Sequence, residues 1–109
     1  MILSSEYTHQ FNVPVALFLF NRPNEVQQVF NAISKLKPKT LFLIADGPRA
    51  DHPRDEELCD QARSITSEVN WDCNVRRLFF SDNQSSRNAI PLGLNWIFSK
   101  VDQCIILED

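Results

Sequence analysis

Residues 13–20 of the chain are Val-Pro-Val-Ala-Leu-Phe-Leu-Phe, an unbroken apolar run. A strand exposed on one face alternates apolar and polar side chains, whereas a strand buried on both faces does not. The run therefore predicts a central strand of a parallel sheet, covered by helices on both sides. Asn21-Arg22-Pro23-Asn24 follows directly, and its proline and asparagines predict a turn that leads into a helix.

The rest of the chain repeats this alternation of strand and helix. Apolar residues spaced three and four apart predict three helices, each with one apolar face. They are Val26, Val29, Phe30, Ile33 and Leu36 in the first helix, Leu58, Ala62, Ile65 and Val69 in the second, and Leu94, Ile97, Phe98 and Val101 in the third. A polar loop is expected over residues 81–88. Pro91 then falls in the first turn of the third helix, where its missing N–H is tolerated.

Further strands are predicted over residues 40–45, 75–80 and 104–107. The resulting βαβαβαβ order, with short connections, predicts an α/β fold with three layers, α/β/α, around a parallel four-stranded sheet. Such a fold is Rossmann-like, with right-handed crossovers. We expect one domain over residues 13–109, preceded by a loose lead-in over residues 1–12.

Composition excludes several classes of protein. The formal net charge is -3, and no run of Lys or Arg forms a stripe, which argues against a nucleic-acid partner. No apolar run approaches the roughly 20 residues of a membrane span. Met1–Gln10 lacks the basic and apolar regions of a secretory signal. Gly47 and Gly93 are the only glycines, so no glycine-rich phosphate loop is present.

The three cysteines, Cys59, Cys73 and Cys104, are odd in number and widely spaced. They fit neither a disulfide framework nor a zinc pattern. Free, buried or half-buried thiols in a reducing compartment are the expectation, which indicates a cytoplasmic protein.

Polar residues follow every predicted strand. In open parallel sheets, ligands bind at the carboxyl ends of the strands, close to the point where the strand order reverses. The residues at those ends are Asn21 and Arg22, then Asp46, then Ser81 and Asp82, and finally Glu108 and Asp109. Their convergence predicts a ligand site at this edge of the sheet.

Each of these residues also has a structural interpretation. Asp46 precedes Gly47 and either forms a tight turn or accepts a hydrogen bond from a base N–H or a ribose hydroxyl. Arg22 is either an exposed turn residue or a guanidinium that contacts a phosphate or a base. For Asn21 the structural interpretation is favoured, in which its side chain holds the loop or caps the helix. Arg87, before the third helix, either reaches a diphosphate or is solvated.

Glu108 and Asp109 form the strongest pair of candidates. Mg²⁺ and Mn²⁺ bind carboxylate oxygens together with waters and substrate phosphates, rather than a complete protein cage. Acids that follow a buried strand suit that requirement because the sheet holds them rigidly. The alternative is a polar strand terminus without a ligand.

Four stretches together resemble the N-terminal, nucleotide-binding half of a GT-A type glycosyltransferase. They are P-V-A-L-F-L-F-N-R-P over 14–23, L-I-A-D-G-P-R over 43–49, N-A-I-P-L-G-L-N-W-I-F over 88–98 and I-I-L-E-D over 105–109. The chain is similar to family-2-like transferases and to the N-acetylglucosaminyltransferase I group, whose metal motif is E-D-D after an apolar strand. The resemblance runs from about Val13 to Asp109.

The resemblance implies a role for each site residue. Asn21 and Arg22 would lie around the base and phosphates of a nucleoside-diphosphate sugar, with a UDP-sugar as the expected donor, and Asp46 would bind the base or ribose. Glu108 and Asp109 would begin the acidic motif, with Asp109 at a divalent cation, Mn²⁺ or Mg²⁺. The motif's third acid would come next and is not in this sequence. We therefore expect a truncated domain with no catalytic residue, inactive alone.

The rival interpretation is a non-catalytic α/β binding or regulatory module. A response-regulator receiver has the same alternation of elements, but it requires acids after the first strand, where this chain has Asn21-Arg22. Self-association is expected if the fourth strand is left unpaired at the edge of the sheet.

Overall fold

A computed structural model describes residues 11–109. Strands and helices alternate along the chain as predicted. They are β1 (Val15–Leu19), α1 (Pro23–Leu36), β2 (Thr40–Ala45), α2 (Asp55–Ile65), β3 (Asn74–Phe79), α3 (Ser86–Phe98) and β4 (Ile105–Glu108). The predicted lead-in falls largely on residues 1–10, outside the described residues. Phe11 pairs with Pro38 in an isolated parallel bridge.

The four strands form one parallel sheet in the spatial order β3-β2-β1-β4. This order differs from the order along the chain, because β4 returns to the far side of β1. The strand order therefore reverses between β1 and β4. A crevice opens at such a reversal, since the connections leave the two strands in opposite directions.

The two central strands are buried on both faces, which confirms the prediction made from residues 13–20. Alternate side chains enter two separate cores. Val15, Leu17 and Leu19 pack with α1 and α2, whereas Ala16 and Phe18 pack with α3. Helices thus cover both faces of the sheet, and the three-layer α/β/α architecture is confirmed.

Helix α1 follows its sequence signals closely. Pro23 occupies the first turn, and Val26, Phe30 and Ile33 form the buried stripe. Lys37 ends the helix in the left-handed conformation (φ 52°), and its N–H donates to the carbonyl of Ile33 at 3.0 Å. This closure is the usual way in which a helix satisfies its last carbonyls.

Helix α3 differs from the prediction at both ends. It begins at Ser86, inside the expected loop, so that Pro91 lies in the second turn rather than the first. It ends at Phe98, which is exposed, and Val101 packs against the core from beyond the helix. Ser86, Arg87 and Asn88 carry no apolar periodicity, because the first turn of this helix faces the loop and solvent instead of the sheet.

The second helix also ends earlier than its apolar stripe. Helix α2 stops at Ile65, where the Thr66 hydroxyl donates to the carbonyl of Arg63 at 2.8 Å. Val69 follows the helix but still packs on the same core. The thiols are free as expected, with Cys59 buried and Cys73 and Cys104 half-buried. Burial raises the pKa of Cys59 and of Cys104 to about 11.

Candidate functional site

A cleft of about 440 Å³ lies at the carboxyl ends of the strands, beside the first turns of α3. Its position at the reversal between β1 and β4 is the one that the strand order predicts. The residues that line it are Phe18, Leu19, Phe20, Ile44, Asp46, Arg49, Asn83, Ser85, Ser86, Ala89, Ile90, Glu108 and Asp109. Asp46, Glu108 and Asp109 are the sequence-predicted site residues among them.

The floor of the cleft is apolar. Phe18 and Ile44 project from the sheet, and Ala89 and Ile90 face them from α3. Helix α3 can approach the sheet because Gly93 has no side chain. A Cβ added there would lie 2.5 Å from the Phe18 ring and 3.1 Å from Ile44.

Asp46 joins the loops that follow β2 and β3. Its carboxylate accepts from the N–H of Gly47 and of Gln84, both at 2.8 Å, and from Asn83 Nδ2 at 3.2 Å. The Asn83 amide also donates to the Gly47 carbonyl at 2.9 Å. A carboxylate has about four acceptor positions, so one position on Oδ2 is left. The turn-forming role is therefore present, and capacity for one ligand donor remains beside it.

Gly47 makes this junction possible. A Cβ at position 47 would lie 2.5–2.7 Å from the backbone atoms of Asp82. The two loops consequently touch backbone to backbone, which brings Asn83 and Gln84 within reach of Asp46.

Arg63 supports the same junction from behind. Its Nη2 donates to the carbonyls of Asp46 at 3.1 Å and of Phe80 at 2.7 Å, and its guanidinium lies 4.9 Å from the Phe79 ring centre. Nε of Arg63 is buried, and none of residues 11–109 gives it a hydrogen-bond partner. Sequence reasoning missed this residue. Arg63 is not one of the apolar residues that define the helix, and its sequence position does not indicate which groups its side chain contacts.

Asn21 takes part in a second polar cluster. Its Nδ2 donates to Oδ1 of the buried Asp55 at 3.0 Å, which agrees with the loop-holding interpretation. Arg49 binds the same carboxylate through Nε, Nη2 and its backbone N–H. The hydrogen bonds from Arg49, partly opposed by desolvation, hold the pKa of Asp55 well below its usual range. The paired carboxylate correspondingly raises the pKa of Arg49.

Glu108 and Asp109 reach the cleft from β4. Glu108 is the last residue of the strand rather than the residue after it, and it pairs in register with Phe18. The Asp109 N–H donates to the Phe18 carbonyl at 3.3 Å, and Arg22 Nη2 donates to the Asp109 carbonyl. Burial raises the pKa of the Asp109 carboxyl, partly offset by the charge of Arg22.

Several predicted site residues do not line the cleft, namely Asn21, Arg22, Ser81, Asp82 and Arg87. Arg22 contacts Asp109 and is exposed. Arg87 is exposed on α3 and borders a separate shallow depression with Pro91 and Asn95. Arg49, to which the sequence analysis assigned no role, lines the cleft instead. Its place in L-I-A-D-G-P-R, three residues after Asp46, was the available signal.

Ser85, which lines the cleft, has an unusual backbone conformation. Its φ of 63° and ψ of 153° fall in a region that is otherwise almost restricted to glycine. The Ser85 N–H donates to Asn83 Oδ1 at 3.0 Å, so the Asn83 side chain fixes the entry into α3. A strained residue is therefore held beside the cleft by the same asparagine that contacts Asp46.

The acids of the cleft fit a divalent cation only in its partly hydrated form. Oδ2 of Asp109 is buried and has no hydrogen-bond partner among the described residues, which leaves it available as a ligand. Residues 11–109 contain no group of three or more His, Cys, Asp or Glu side chains placed to enclose an ion. Mg²⁺ or Mn²⁺ could bind Asp109, with Glu108 nearby, if water and phosphate supplied the remaining ligands.

Comparisons with protein-family models, with curated proteins and with solved structures found no match to this chain. Within the described part of the chain, no helix has the length and apolar character required to cross a membrane.

Proposed function

We propose that the cleft binds a nucleoside-diphosphate sugar and that the chain forms the donor-binding part of a glycosyltransferase. The observation that carries the proposal is the position of Glu108 and Asp109. Both acids line a cleft at the strand-order reversal, opposite the loop of Asp46. Doubly wound sheets bind nucleotides at this position.

The size and lining of the cleft suit such a ligand. A volume of about 440 Å³ lies within the range of small-molecule sites, which are mostly apolar with a few convergent polar groups. The floor formed by Phe18 and Ile44 can take the flat face of a base or a sugar. The remaining acceptor position on Asp46 can receive one N–H or hydroxyl.

The acids suit the charged end of the same ligand. A nucleoside diphosphate departs with negative charge, and a bound Mg²⁺ or Mn²⁺ would neutralise that charge. Asp109 would hold the ion through the buried oxygen Oδ2. Free thiols at three positions support a reducing location such as the cytoplasm.

Titration calorimetry of the purified chain with UDP, ADP and GDP, each with and without Mn²⁺, tests the proposal. We expect UDP to bind, and Mn²⁺ to strengthen the binding. Asp109→Asn should remove the effect of Mn²⁺ while the metal-free affinity stays the same. Asp102→Asn is the matched control, because Asp102 is exposed before β4 and does not line the cleft.

Failure of every nucleotide to bind at millimolar concentration would contradict the proposal. Binding that neither Mn²⁺ nor Asp109→Asn alters would instead favour the non-catalytic binding module. A hydrolysis assay, in which release of UDP reports transfer of the sugar from a UDP-sugar to water, separates the two forms of the proposal. Release of UDP indicates an active transferase, and binding without release indicates a donor-binding domain.

A further inference from the structure

We propose that Arg49 is the phosphate-binding cation of the cleft, and that Asp55 and Asn21 are positioning residues that hold its guanidinium in the binding orientation. The proposal rests on the proposed function, because it assigns the diphosphate of the ligand to one end of the same cleft. The sequence analysis considered Arg22 and Arg87 for the phosphates, and neither of them lines the cleft.

The geometry of the Arg49 side chain is fixed from one side. Nε donates to Asp55 Oδ2 at 2.7 Å, and Nη2 donates to Oδ1 at 3.0 Å, which is a bidentate pair. The Arg49 backbone N–H donates to the same Oδ2 at 3.0 Å. Asn21 occupies another acceptor position on Oδ1. The Asp55 carboxylate thus accepts four hydrogen bonds, which fill its acceptor positions and fix its orientation.

This pairing leaves most of the Arg49 donors available. A guanidinium has five N–H groups in a planar fork, and Asp55 takes two of them. Both N–H groups of Nη1 and the second N–H of Nη2 point away from the carboxylate. Planar, fixed N–H pairs match the oxygen spacing of a phosphate, which is why arginine is favoured at such sites.

The Phe20 ring makes a second contact with the Arg49 side chain. The guanidinium carbon lies 5.4 Å from the centre of the Phe20 ring, within the range of a cation–π contact. The Arg49 side chain is nevertheless 39% exposed, whereas Asp55 is 3% exposed. The arginine is thus held by a buried partner and a ring while its outer edge faces solvent and the cleft. Binding an anion would therefore cost little side-chain entropy.

The other arginines near the strand ends are committed elsewhere. Arg63 donates to two carbonyls behind the cleft, and Arg22 donates to the Asp109 carbonyl. Arg87 borders a different depression. Among the described residues that line the cleft, Arg49 is the only Lys or Arg, and it stands with Asp46, Glu108 and Asp109. A ligand that carries both phosphate and metal would match this mixture of charges.

The test compares uridine, UMP and UDP by titration calorimetry. Because Arg49→Gln alone would leave Asp55 buried and unpaired, the main variant is the double change Arg49→Gln with Asp55→Asn. We expect UDP to bind this variant about 10- to 100-fold more weakly, the range for losing charge-assisted hydrogen bonds. Uridine affinity should stay unchanged. That selectivity separates phosphate binding from a general structural role.

Two single variants complete the set. Asp55→Asn keeps the Arg49 charge but loosens its orientation, so the UDP affinity should fall by less than in the double variant, again without change for uridine. Arg87→Gln is the matched control and should bind all three ligands like the wild-type chain. Circular dichroism of each variant establishes that the fold is retained.

A measurement on the unmodified chain avoids any folding defect. Inorganic pyrophosphate, added to ¹⁵N-labelled protein, should shift the Nε–H resonance of Arg49 and leave that of Arg87 in place. No shift at Arg49 would overturn the assignment even if every variant failed to fold.

The outcomes distinguish the two proposals. UDP binding that survives the double change would overturn the role of Arg49 and leave the nucleotide-sugar proposal standing. Pyrophosphate binding through Arg49 without any nucleotide preference would support Arg49 and contradict the proposed function. Absence of binding by both UDP and pyrophosphate would overturn both.

Discussion

At the scale of single residues, two aspartates at the ends of β2 and β4, the strands on either side of β1, behave differently because their hydrogen-bond partners differ. Asp46 receives three hydrogen bonds from two loops, whereas Oδ2 of Asp109 is buried and receives none from the part of the chain that the structure describes. The first carboxylate therefore organises the backbone, and the second retains capacity for a ligand. Residue type alone does not separate these roles, since both aspartates follow apolar strands.

The backbone contact at Gly47 leads to a prediction about stability. A Cβ there would meet the Asp82 backbone at 2.5 Å, and backbone atoms cannot rotate aside. We expect Gly47→Ala to lower the free energy of unfolding by about 1–3 kcal/mol, the usual range for overpacking. Urea denaturation followed by tryptophan fluorescence measures the change.

Gly93→Ala is the informative comparison for that variant. Its Cβ would meet the Phe18 ring, which can shift, and alanine favours a helix over glycine by about 1 kcal/mol. The loss at position 93 should therefore be smaller than the loss at position 47. A Gly47→Ala protein as stable as the wild-type chain would mean that the two loops can separate.

The ion pair of Asp55 gives a prediction about pH. Its folded pKa lies below the unfolded value of about 3.9, so the unfolded chain takes up this proton first as the pH falls. The stabilisation is then complete at pH 7 and is lost as the pH drops below about 4. We expect Asp55→Asn to destabilise the protein by about 2–3 kcal/mol at pH 7 and by progressively less below pH 4.

Urea denaturation at pH 7, 5, 4 and 3 measures this dependence. Asp51→Asn is the control, because Asp51 lies in the loop that precedes α2, is exposed and pairs with His52. A stability difference for Asp55→Asn that stays constant from pH 7 to pH 3 would contradict the ion-pair explanation.

At the scale of secondary-structure elements, buried strands were easier to predict than helix ends. The bounds of β2 agree with the prediction, and β1 lies inside the predicted run, because an unbroken apolar stretch requires burial on both faces. The start of α3 was missed by several residues. Its first turn, from Ser86, makes no core contact before Ala89, so hydrophobic periodicity begins later than the helix itself.

The candidate site was likewise predictable only in part. Strand ends were predictable, which placed Asp46, Glu108 and Asp109 at one edge of the sheet. The directions of side chains were not predictable, because they depend on contacts far apart in sequence. Hydrogen bonds to Asp55 and to Asp46 fix the orientations of the Arg49 and Asn83 side chains, respectively. Arg87 lies on a face of α3 that borders a separate depression.

Pro91 provides a prediction at the element scale. It lies in the second turn of α3, where it removes one helical hydrogen bond, and its ring is exposed. Replacing proline within a helix gains up to about 3 kcal/mol when no packing is lost. We expect Pro91→Ala to raise the free energy of unfolding by about 1–3 kcal/mol. Lower stability, measured by urea denaturation, would show that Pro91 helps to pack α3 against the sheet.

At the scale of the whole molecule, the two edges of the described sheet differ in chemistry. On the β3 edge, Arg76 and Arg77 are exposed, and charged side chains discourage pairing with another strand. On the β4 edge, Ile105 and Ile106 are 38% and 37% exposed, and the charged residue of this strand, Glu108, lies at its end. Pairing through β4 would extend the sheet and cover these isoleucines, whereas pairing through β3 would bury arginines.

This contrast predicts that the 109-residue chain self-associates through β4. Sedimentation velocity at increasing protein concentration should show a rising sedimentation coefficient. Ile106→Lys should abolish that rise, because a charge within the strand opposes edge pairing. Leu92→Lys is the matched control, since Leu92 is equally apolar and 46% exposed but lies on α3. If Leu92→Lys abolishes association and Ile106→Lys does not, the contact is made by the helical face, and the β4 edge is protected in another way.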